Sequence, residues 1–172
     1  MAKQSILLGT APTGVGGDTP RTAFTKAQSN FDELYAADLA NYKKNNVVGA
    51  VSQTSGVPTG AIIEQGTNAN GSWTKFADGT MICSGFKDLG SQAFPAIGNL
   101  FYTGAFSGIA FPLIFVGLPK VNIGIISSGG LCWVSQGSTF ATTSATSGFY
   151  VLSPAANSNG LTATYMAIGR WF

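Results

Sequence analysis

The 172-residue sequence predicts a mainly β protein with an irregular N-terminal arm, one α-helix and a C-terminal antiparallel β-sandwich-like knob. Glycine supplies 23 of the 172 residues, about 13%, which is well above its usual share of about 7%. Charged residues make up only 9% of the chain, against roughly 25% in an average soluble protein. Because glycine and the frequent β-branched threonine are poor residues for helix interiors, this composition favours strands and turns over a helical bundle.

Residues 1–19 are predicted to form the irregular arm, because they are rich in glycine and threonine. They contain one apolar triplet, Ile6, Leu7 and Leu8, that has no obvious apolar partner nearby in the sequence. A segment with so little apolar content is expected to be disordered in the free protein and to become ordered when it binds a partner.

The helix is predicted over residues 20–44. Thr19 can cap its first turn, and Pro20 suits the first helical position, where a missing N–H costs nothing. No glycine or further proline interrupts this stretch. Lys43 and Lys44 lie at its C-terminal end, where positive charge complements the helix dipole.

An apolar stripe on this helix has two interpretations. Its members recur at a 3-4-3 spacing and are Phe24, Ala27, Phe31 and Leu34. Tyr35, Leu39 and Tyr42 continue it along a displaced line. The stripe packs either on the helix's own domain or against identical helices as a short coiled-coil seam. Two heptads are fewer than a firm coiled-coil assignment requires.

The rest of the chain divides into a predicted linker at residues 45–60 and a knob at residues 61–172. Turn-forming residues separate several short segments of strand-like composition in the knob. These predicted strands cover residues 110–116, 121–126, 131–135, 139–143, 148–152 and 162–172.

A further hairpin is predicted around the Asp-Gly pair at residues 78–79. This dipeptide is typical of a two-residue turn whose residues have positive φ. If the flanking strands pair around such a turn, Phe76 faces Met81 and Thr74 faces Cys83.

The charges are distributed unevenly along the chain. Fourteen of the sixteen charged residues lie between Lys3 and Asp88, and the last 84 residues carry only Lys120 and Arg170. A monomer with such a region would expose mostly neutral and apolar surface, which is a liability for association. We therefore expect neutral polar side chains to cover part of this surface and an obligate homo-oligomer to bury the rest.

The sequence also argues against whole classes of function. It contains no histidine, so a Ser-His-Asp or Cys-His catalytic site cannot form within one chain, and two cysteines alone do not make a metal site. We expect no enzyme activity, no cofactor and no metal. The net charge of +2 carries no basic patch for nucleic acid. No apolar run approaches the roughly 20 residues that a membrane-spanning helix needs, so no membrane insertion is expected.

Three segments resemble bacteriophage tail-fibre proteins. Residues 17–35 read GDTPRTAFTKAQSNFDELY and resemble the recurring form GD..R.AF.K.N.NF.ELY, with Ala-Gln at residues 27–28 in place of the more usual Ile-Asn. Residues 68–85 read NANGSWTKFADGTMICSG and resemble the opening hairpin of tail-fibre C-terminal domains. Residues 164–172 read TYMAIGRWF and are similar to the terminal AIGRW strand of those domains.

This resemblance implies a trimeric virion fibre, assembled in the bacterial host cytoplasm and located on the tail, baseplate or head. The helix stripe would then be the trimer seam, and the Ile6-Leu7-Leu8 triplet would attach the arm to other virion structural proteins. The knob would bind a host-surface glycan or outer-membrane protein. Family fibres usually carry long shafts before the knob, whereas here the attachment-like segment comes almost directly before it. The chain is therefore expected to be a complete miniature fibre of arm, short helix and knob. The alternative is a purely architectural accessory protein of the head, collar or baseplate without receptor contact.

The receptor surface is expected on the loops of the knob, because binding residues concentrate on loops that a rigid scaffold positions. The candidate residues are Trp133, Gln136, Tyr150, Asn157, Ser158 and Asn159. Neutral side chains suit hydrogen bonding to sugar hydroxyls, and an aromatic face can pack on the apolar side of a pyranose.

Overall fold

The computed structural model describes residues 4–41, 43, 46–137, 140–156 and 158–172. The chain forms two compact units, Met1–Lys43 and Lys44–Phe172. The described residues form one α-helix and several sheets in which every strand pairing is antiparallel. The predicted fold class, mainly β with a single helix, is therefore confirmed.

Helix α1 spans Pro20–Ala40 in the first unit. The Thr19 hydroxyl accepts a hydrogen bond from the Thr22 backbone N–H at 3.2 Å, so the predicted cap and the helix start agree with the structure. The helix stops before the predicted residue 44, because Asn41 is already extended with φ −81° and ψ 144°. Lys43 lies beyond the helix, where its ammonium pairs with the Asp38 carboxylate.

The described part of the second unit contains eleven strands. They are β1 Gln53–Thr54, β2 Val57–Pro58, β3 Ile63–Asn68, β4 Gly71–Phe76, β5 Thr80–Ala93, β6 Ala96–Ile97, β7 Leu100–Tyr102, β8 Lys120–Ser127, β9 Trp133–Gln136, β10 Phe149–Ser153 and β11 Ser158–Arg170.

Two larger sheets and one small hairpin organise these strands. The five-stranded sheet has the order β3-β4-β5-β11-β8, the four-stranded sheet has the order β6-β7-β10-β9, and β1 pairs with β2. The long strands β5 and β11 pair along their whole length, with one register shift between Leu161 and Thr162. Predicted strands at 121–126, 131–135, 148–152 and 162–172 correspond to β8, β9, β10 and β11, with shifted ends.

The two larger sheets share one hydrophobic core. Successive side chains of a strand point to opposite faces, and alternate residues of β11 and β10 are buried. The buried residues that these sheets contribute are Met81, Cys83, Phe149, Val151, Leu161, Ala163, Tyr165 and Ala167.

Residues 110–116 do not form the predicted strand. Pro112 has no N–H to donate, and the segment instead runs irregularly, with a single bridge from Ala110 to Ala145. Its apolar residues fill the core. Phe111 and Phe115 are 5% and 2% exposed, and their rings pack in a T-shaped, edge-to-face arrangement with centroids 5.3 Å apart. The apolar residues on which the strand prediction rested therefore fill the core from an irregular segment. Residues 140–143, the described part of another predicted strand, are also irregular.

The hairpin between β4 and β5 has a three-residue turn rather than the predicted two-residue turn. The Gly79 N–H donates to the Phe76 carbonyl at 3.0 Å, and Gly79 has φ +90°. Three-residue hairpin loops of this kind place a residue with positive φ last. The register consequently moves by one, so Cys83 lies opposite Trp73, and the predicted pairings of Phe76 with Met81 and of Thr74 with Cys83 are wrong. A shift of one residue exchanges the two faces of a strand, so Trp73 lies on the core side.

Residues 46–60, predicted to be a linker, pack on the β unit where they are described. The Gly49 N–H donates to the Ile63 carbonyl, and the Ala61 N–H donates to the Ala50 carbonyl, both at 2.9 Å. Val51 is buried, and its N–H donates to the Glu64 carboxylate at 2.9 Å. This segment extends the edge of the β unit rather than forming a free tether.

Candidate interaction surfaces

The stripe predicted as a helix seam is largely open to solvent in the single chain. Phe24, Phe31 and Leu34 are 74%, 55% and 62% exposed, while Ala27 is half-buried. Tyr35 and Leu39, from the displaced line, are also exposed. Tyr42 lies outside the described residues. At 3.6 residues per turn, Phe24, Phe31 and Tyr35 share one side of α1. The structure therefore places most of the predicted seam on one uncovered face.

The opposite face of α1 holds the arm. The Lys26 ammonium contacts the Asp18 carboxylate at 2.7 Å and donates to the Ser5 carbonyl at 3.1 Å. One turn later, the Asn30 side-chain amide pairs with the Gln4 backbone through two hydrogen bonds of 2.9 Å. Here we call Asp18, Lys26 and Asn30 the arm clamp.

The arm follows its compact path because several of its residues are glycine. A Cβ at Gly17 would lie 2.8 Å from the Leu7 carbonyl oxygen, closer than real Cβ contacts. A Cβ at Gly9 would lie 2.1 Å from the Gly14 carbonyl oxygen, and Gly9 also has φ +72°. The described arm is irregular, as predicted, but these contacts and the arm clamp order it, which differs from the expected disordered segment.

The arm clamp also fixes the charge state of Asp18. The hydrogen bond from Lys26, followed by one from the Leu7 backbone N–H at 2.8 Å, holds the pKa of Asp18 below its usual 3.8. The carboxylate thus links Leu7, the middle residue of the apolar triplet, to Lys26 on the helix. Ile6, Leu7 and Leu8 themselves remain exposed, with Leu8 the most exposed of the three.

Sequence reasoning missed the arm clamp, although all of its residues lie within the fibre-like segment. Lys26 and Asn30 are four residues apart, so they lie one above the other on a helix face. That face is opposite the side that carries Phe24 and Phe31. The segment therefore combines two sets of residues, one that binds the arm and one that is left uncovered.

A concave surface lies on the outer side of the four-stranded sheet. Residues opposite each other in an antiparallel pair share a face, and Tyr150 lies opposite Ser135. Leu152, on the same face, lies opposite both Trp133 and Tyr102. We call this cavity of about 350 Å³ the tyrosine pocket; its lining residues are Ile97, Tyr102, Ser135, Tyr150 and Leu152.

The two tyrosines of this pocket are neighbours on the sheet. Their ring centroids are 6.2 Å apart, and their planes are tilted by 50°. Trp133, which is 38% exposed, lies opposite Leu152 on the same face of the sheet but does not line the pocket. The structure thus places two predicted receptor residues, Trp133 and Tyr150, on one sheet face, and only Tyr150 lines the pocket. Tyr102 and Ile97 were missed because β6 and β7 were not predicted.

The other predicted receptor residues lie elsewhere. Gln136 is opposite Phe149, which places it on the other face of the sheet, at a separate cavity of about 270 Å³. The Asn159 side-chain amide donates to the Gly129 carbonyl, and the Ser158 hydroxyl lies 3.5 Å from that of Ser91. Asn157 lies outside the described residues. Asn159 therefore has a clear role in holding the loop that follows β8.

The outer side of the five-stranded sheet carries a second apolar surface. Met166 and Ile168 are exposed on β11, and Phe86 lies opposite Thr164 on the same face. Ile126, opposite Thr162 on β8, is exposed as well. Apolar side chains at alternating positions on an exposed sheet face mark an interaction surface when they form a contiguous patch.

The described residues include two buried titratable side chains, Cys83 and Tyr165. They contain no group of three histidine, cysteine or acidic side chains that could hold a metal ion. The Cys83 thiol is buried, which raises its pKa. Burial likewise raises the pKa of Tyr165 to about 12, and its hydroxyl donates to the Asn70 carbonyl at 2.8 Å. Within the same residues, the helix is not long and apolar enough to cross a membrane.

Comparison with known proteins finds similarity among solved structures. No protein-family model matches the chain, and no curated protein matches it. Among solved structures, it resembles a C-terminal fragment of the R1 pyocin fibre of P. aeruginosa, at 16% identity and a TM-score of 0.40. That likeness covers 96% of this chain and 35% of the fibre fragment, so the chain spans about a third of its length.

An N-truncated R1-type pyocin tail fibre is similar to the same degree, at 16% identity and a TM-score of 0.40. The likeness covers 90% of this chain and 99% of the tail fibre. Both of these neighbours are pyocin fibres.

Proposed function

We propose that the chain is a homotrimeric structural fibre protein of a bacteriophage virion, held in the particle by its N-terminal arm and presenting its β unit to the host surface. One observation carries this proposal. The helix binds its own arm on one face and leaves Phe24, Phe31 and Leu34 exposed on the rest of its surface.

Burial of the uncovered apolar face would favour association of the helix with other copies of itself. Burying a large apolar side chain is worth about 1.5–3 kcal/mol relative to leaving it in water. Three copies of α1 packed through this stripe would bury that surface around one axis. The arm, bound on the far side by the arm clamp, would not obstruct such a seam.

The β unit supports the same oligomer from a second surface. The last 84 residues carry two charges, and the outer side of the five-stranded sheet exposes Phe86, Met166 and Ile168. A second set of contacts between chains would cover part of this surface. The arm would supply the remaining virion contact, because its Ile6-Leu7-Leu8 triplet stays exposed while its backbone is held.

At the host surface, the proposed role of the β unit is binding rather than catalysis. The sequence lacks histidine, and the concave tyrosine pocket has an uncharged lining. We assign the chain no enzymatic step and no contact with nucleic acid. The expected partner is a host-surface glycan or an outer-membrane protein.

The oligomer is tested by light scattering after gel filtration. Wild-type protein is expected to have three times the 17.7 kDa chain mass. Phe31→Asp would bury three unpaired charges in the seam, each costing several kcal/mol, so this variant should give single chains.

The matched control is Ala36→Asp, which adds the same charge to an exposed helix position away from Phe31. It should keep the wild-type mass. If Phe31→Asp also keeps the wild-type mass and melting temperature, the helix seam is refuted and any trimer depends on the β unit.

A further inference from the structure

The tyrosine pocket has the features of a ligand site and not of a core defect. On β10, the side chains of Phe149 and Val151 are buried in the core, whereas Tyr150 and Leu152 project from the opposite face. A cavity of about 350 Å³ falls within the range of small-ligand sites, roughly 300–1,000 Å³. The pocket is built within the β unit of one chain, so it does not depend on assembly.

The side-chain hydroxyls of the pocket have no hydrogen-bond partner among the described residues. In the described part of the chain, no hydrogen bond occupies the hydroxyl of Tyr102, Tyr150 or Ser135. Each hydroxyl can both donate and accept a hydrogen bond. Three such groups around two aromatic rings would suit a ligand that has hydroxyls on its edge and C–H groups on its face.

The uncharged lining of the pocket narrows the chemical class of the ligand. The lining consists of two tyrosines, one serine and two aliphatic residues, without an acidic or basic side chain. A carboxylated or phosphorylated ligand would lose water on binding without gaining an opposite charge. The tilted tyrosine rings, 6.2 Å apart, provide aromatic faces for an apolar ligand surface.

We propose that the tyrosine pocket binds a neutral pyranose unit of a saccharide, with Tyr102 and Tyr150 packing on the sugar face and Ser135 binding a sugar hydroxyl. This inference rests on the proposed host-surface role, because it names the chemical class recognised there. It also moves the recognition surface from the loops to the outer face of a sheet.

The test is saturation-transfer NMR on the intact protein with methyl α-glucopyranoside, methyl α-galactopyranoside and N-acetylglucosamine, and with glucuronate as the charged counterpart. We expect at least one neutral sugar to bind, with the strongest transfer to ring C–H protons, and glucuronate to bind more weakly. Failure of every neutral sugar to bind, or stronger binding of glucuronate, would overturn the inference.

Substitutions inside and outside the tyrosine pocket test whether the sugar binds there. Tyr150→Ala should weaken sugar binding about tenfold through loss of an aromatic face. Tyr150→Phe keeps the ring and should weaken binding about threefold through loss of one hydrogen bond. The control is Phe140→Ala, which removes an exposed aromatic ring outside the pocket and should leave binding unchanged. An equal loss in the Phe140→Ala variant would contradict the assignment.

The proposed function and this inference fail in different ways. A trimer that adsorbs to host cells without binding any of the sugars would leave the fibre role standing and refute the saccharide site. A single-chain protein that binds sugar through Tyr150 would refute the fibre role and support the site. A melting temperature close to wild type for each variant shows that a loss of binding is not a loss of fold.

Discussion

The two faces of helix α1 differ in how their side chains are satisfied. On one face, Lys26 and Asn30 bind the arm through hydrogen bonds and an ion pair. On the other, Phe24 and Phe31 have little contact with their own chain. Polar groups need partners of fixed geometry, which a short segment such as the arm can supply, whereas apolar groups need only burial. The difference supports the proposal that further copies of the chain cover the apolar face, whereas the polar face is covered by the chain's own arm.

The largest loss of stability is expected from substitutions in the uncovered face of α1. Replacing both Phe31 and Leu34 with alanine should destabilise the trimer strongly, because each large-to-alanine change in a buried seam costs about 2–5 kcal/mol. Thermal unfolding at several protein concentrations should show a lower midpoint that falls further on dilution. A midpoint equal to wild type at every concentration would show that this face is not buried between chains.

A smaller effect is expected in the arm, at Gly17. Gly17→Ala would place a Cβ 2.8 Å from backbone atoms of Leu7 and Gly9, so the arm must shift, at a cost of about 1–3 kcal/mol. Hydrogen exchange at the Leu7 and Thr10 amides should become faster. Gly104→Ala is the control, because its Cβ would meet no atom within 4 Å. Slow exchange in both variants would refute the tight arm path.

The arm clamp itself is tested by Lys26→Met, which removes the charge and keeps a long apolar stem. The Asp18 carboxylate and the Ser5 carbonyl would lose a donor, so exchange at the Leu7 amide should accelerate while the trimer mass stays constant. Lys43→Met, beyond the helix end, serves as the control and should leave the arm unchanged. A trimer that dissociates on Lys26→Met would contradict the separation of the two faces.

The smallest effect is a dependence of arm binding on acid pH. Asp18 has a pKa below 3.8 in the folded protein, so its contribution is fully present above pH 3.8 and is lost as the pH falls through the lowered value. An NMR titration of the Leu7 amide should show release of the arm only in that acidic range. Asp18→Asn should remove the transition, and release well above pH 3.8 would contradict the assignment.

Much of the fold could be predicted because local signals were strong. Thr19 and Pro20 identify the start of α1, and Phe24 and Phe31, which are seven residues or about two helical turns apart, identify its apolar face. The segment at 110–116 was interpreted incorrectly because apolar content predicts burial but not backbone conformation. Only the tertiary structure shows that Phe111 and Phe115 enter the core from an irregular segment.

The candidate sites were predicted less completely because they depend on pairing between distant strands. Trp133 and Tyr150 are predicted as aromatic residues that stack on a ligand at the knob loops, but nothing local to either shows that β10 brings Tyr150 next to Tyr102. The arm clamp has the same origin, since Asn30 and Gln4 are 26 residues apart. The hairpin register depended on a turn of three residues instead of two, which the Asp-Gly pair alone does not distinguish.

In the proposed fibre, the uncovered face of α1 holds three chains together. Sedimentation equilibrium of the wild-type protein over a wide concentration range tests it most directly. We expect a single species with three times the 17.7 kDa chain mass, persisting on dilution. A species with the mass of one chain at all concentrations would contradict it.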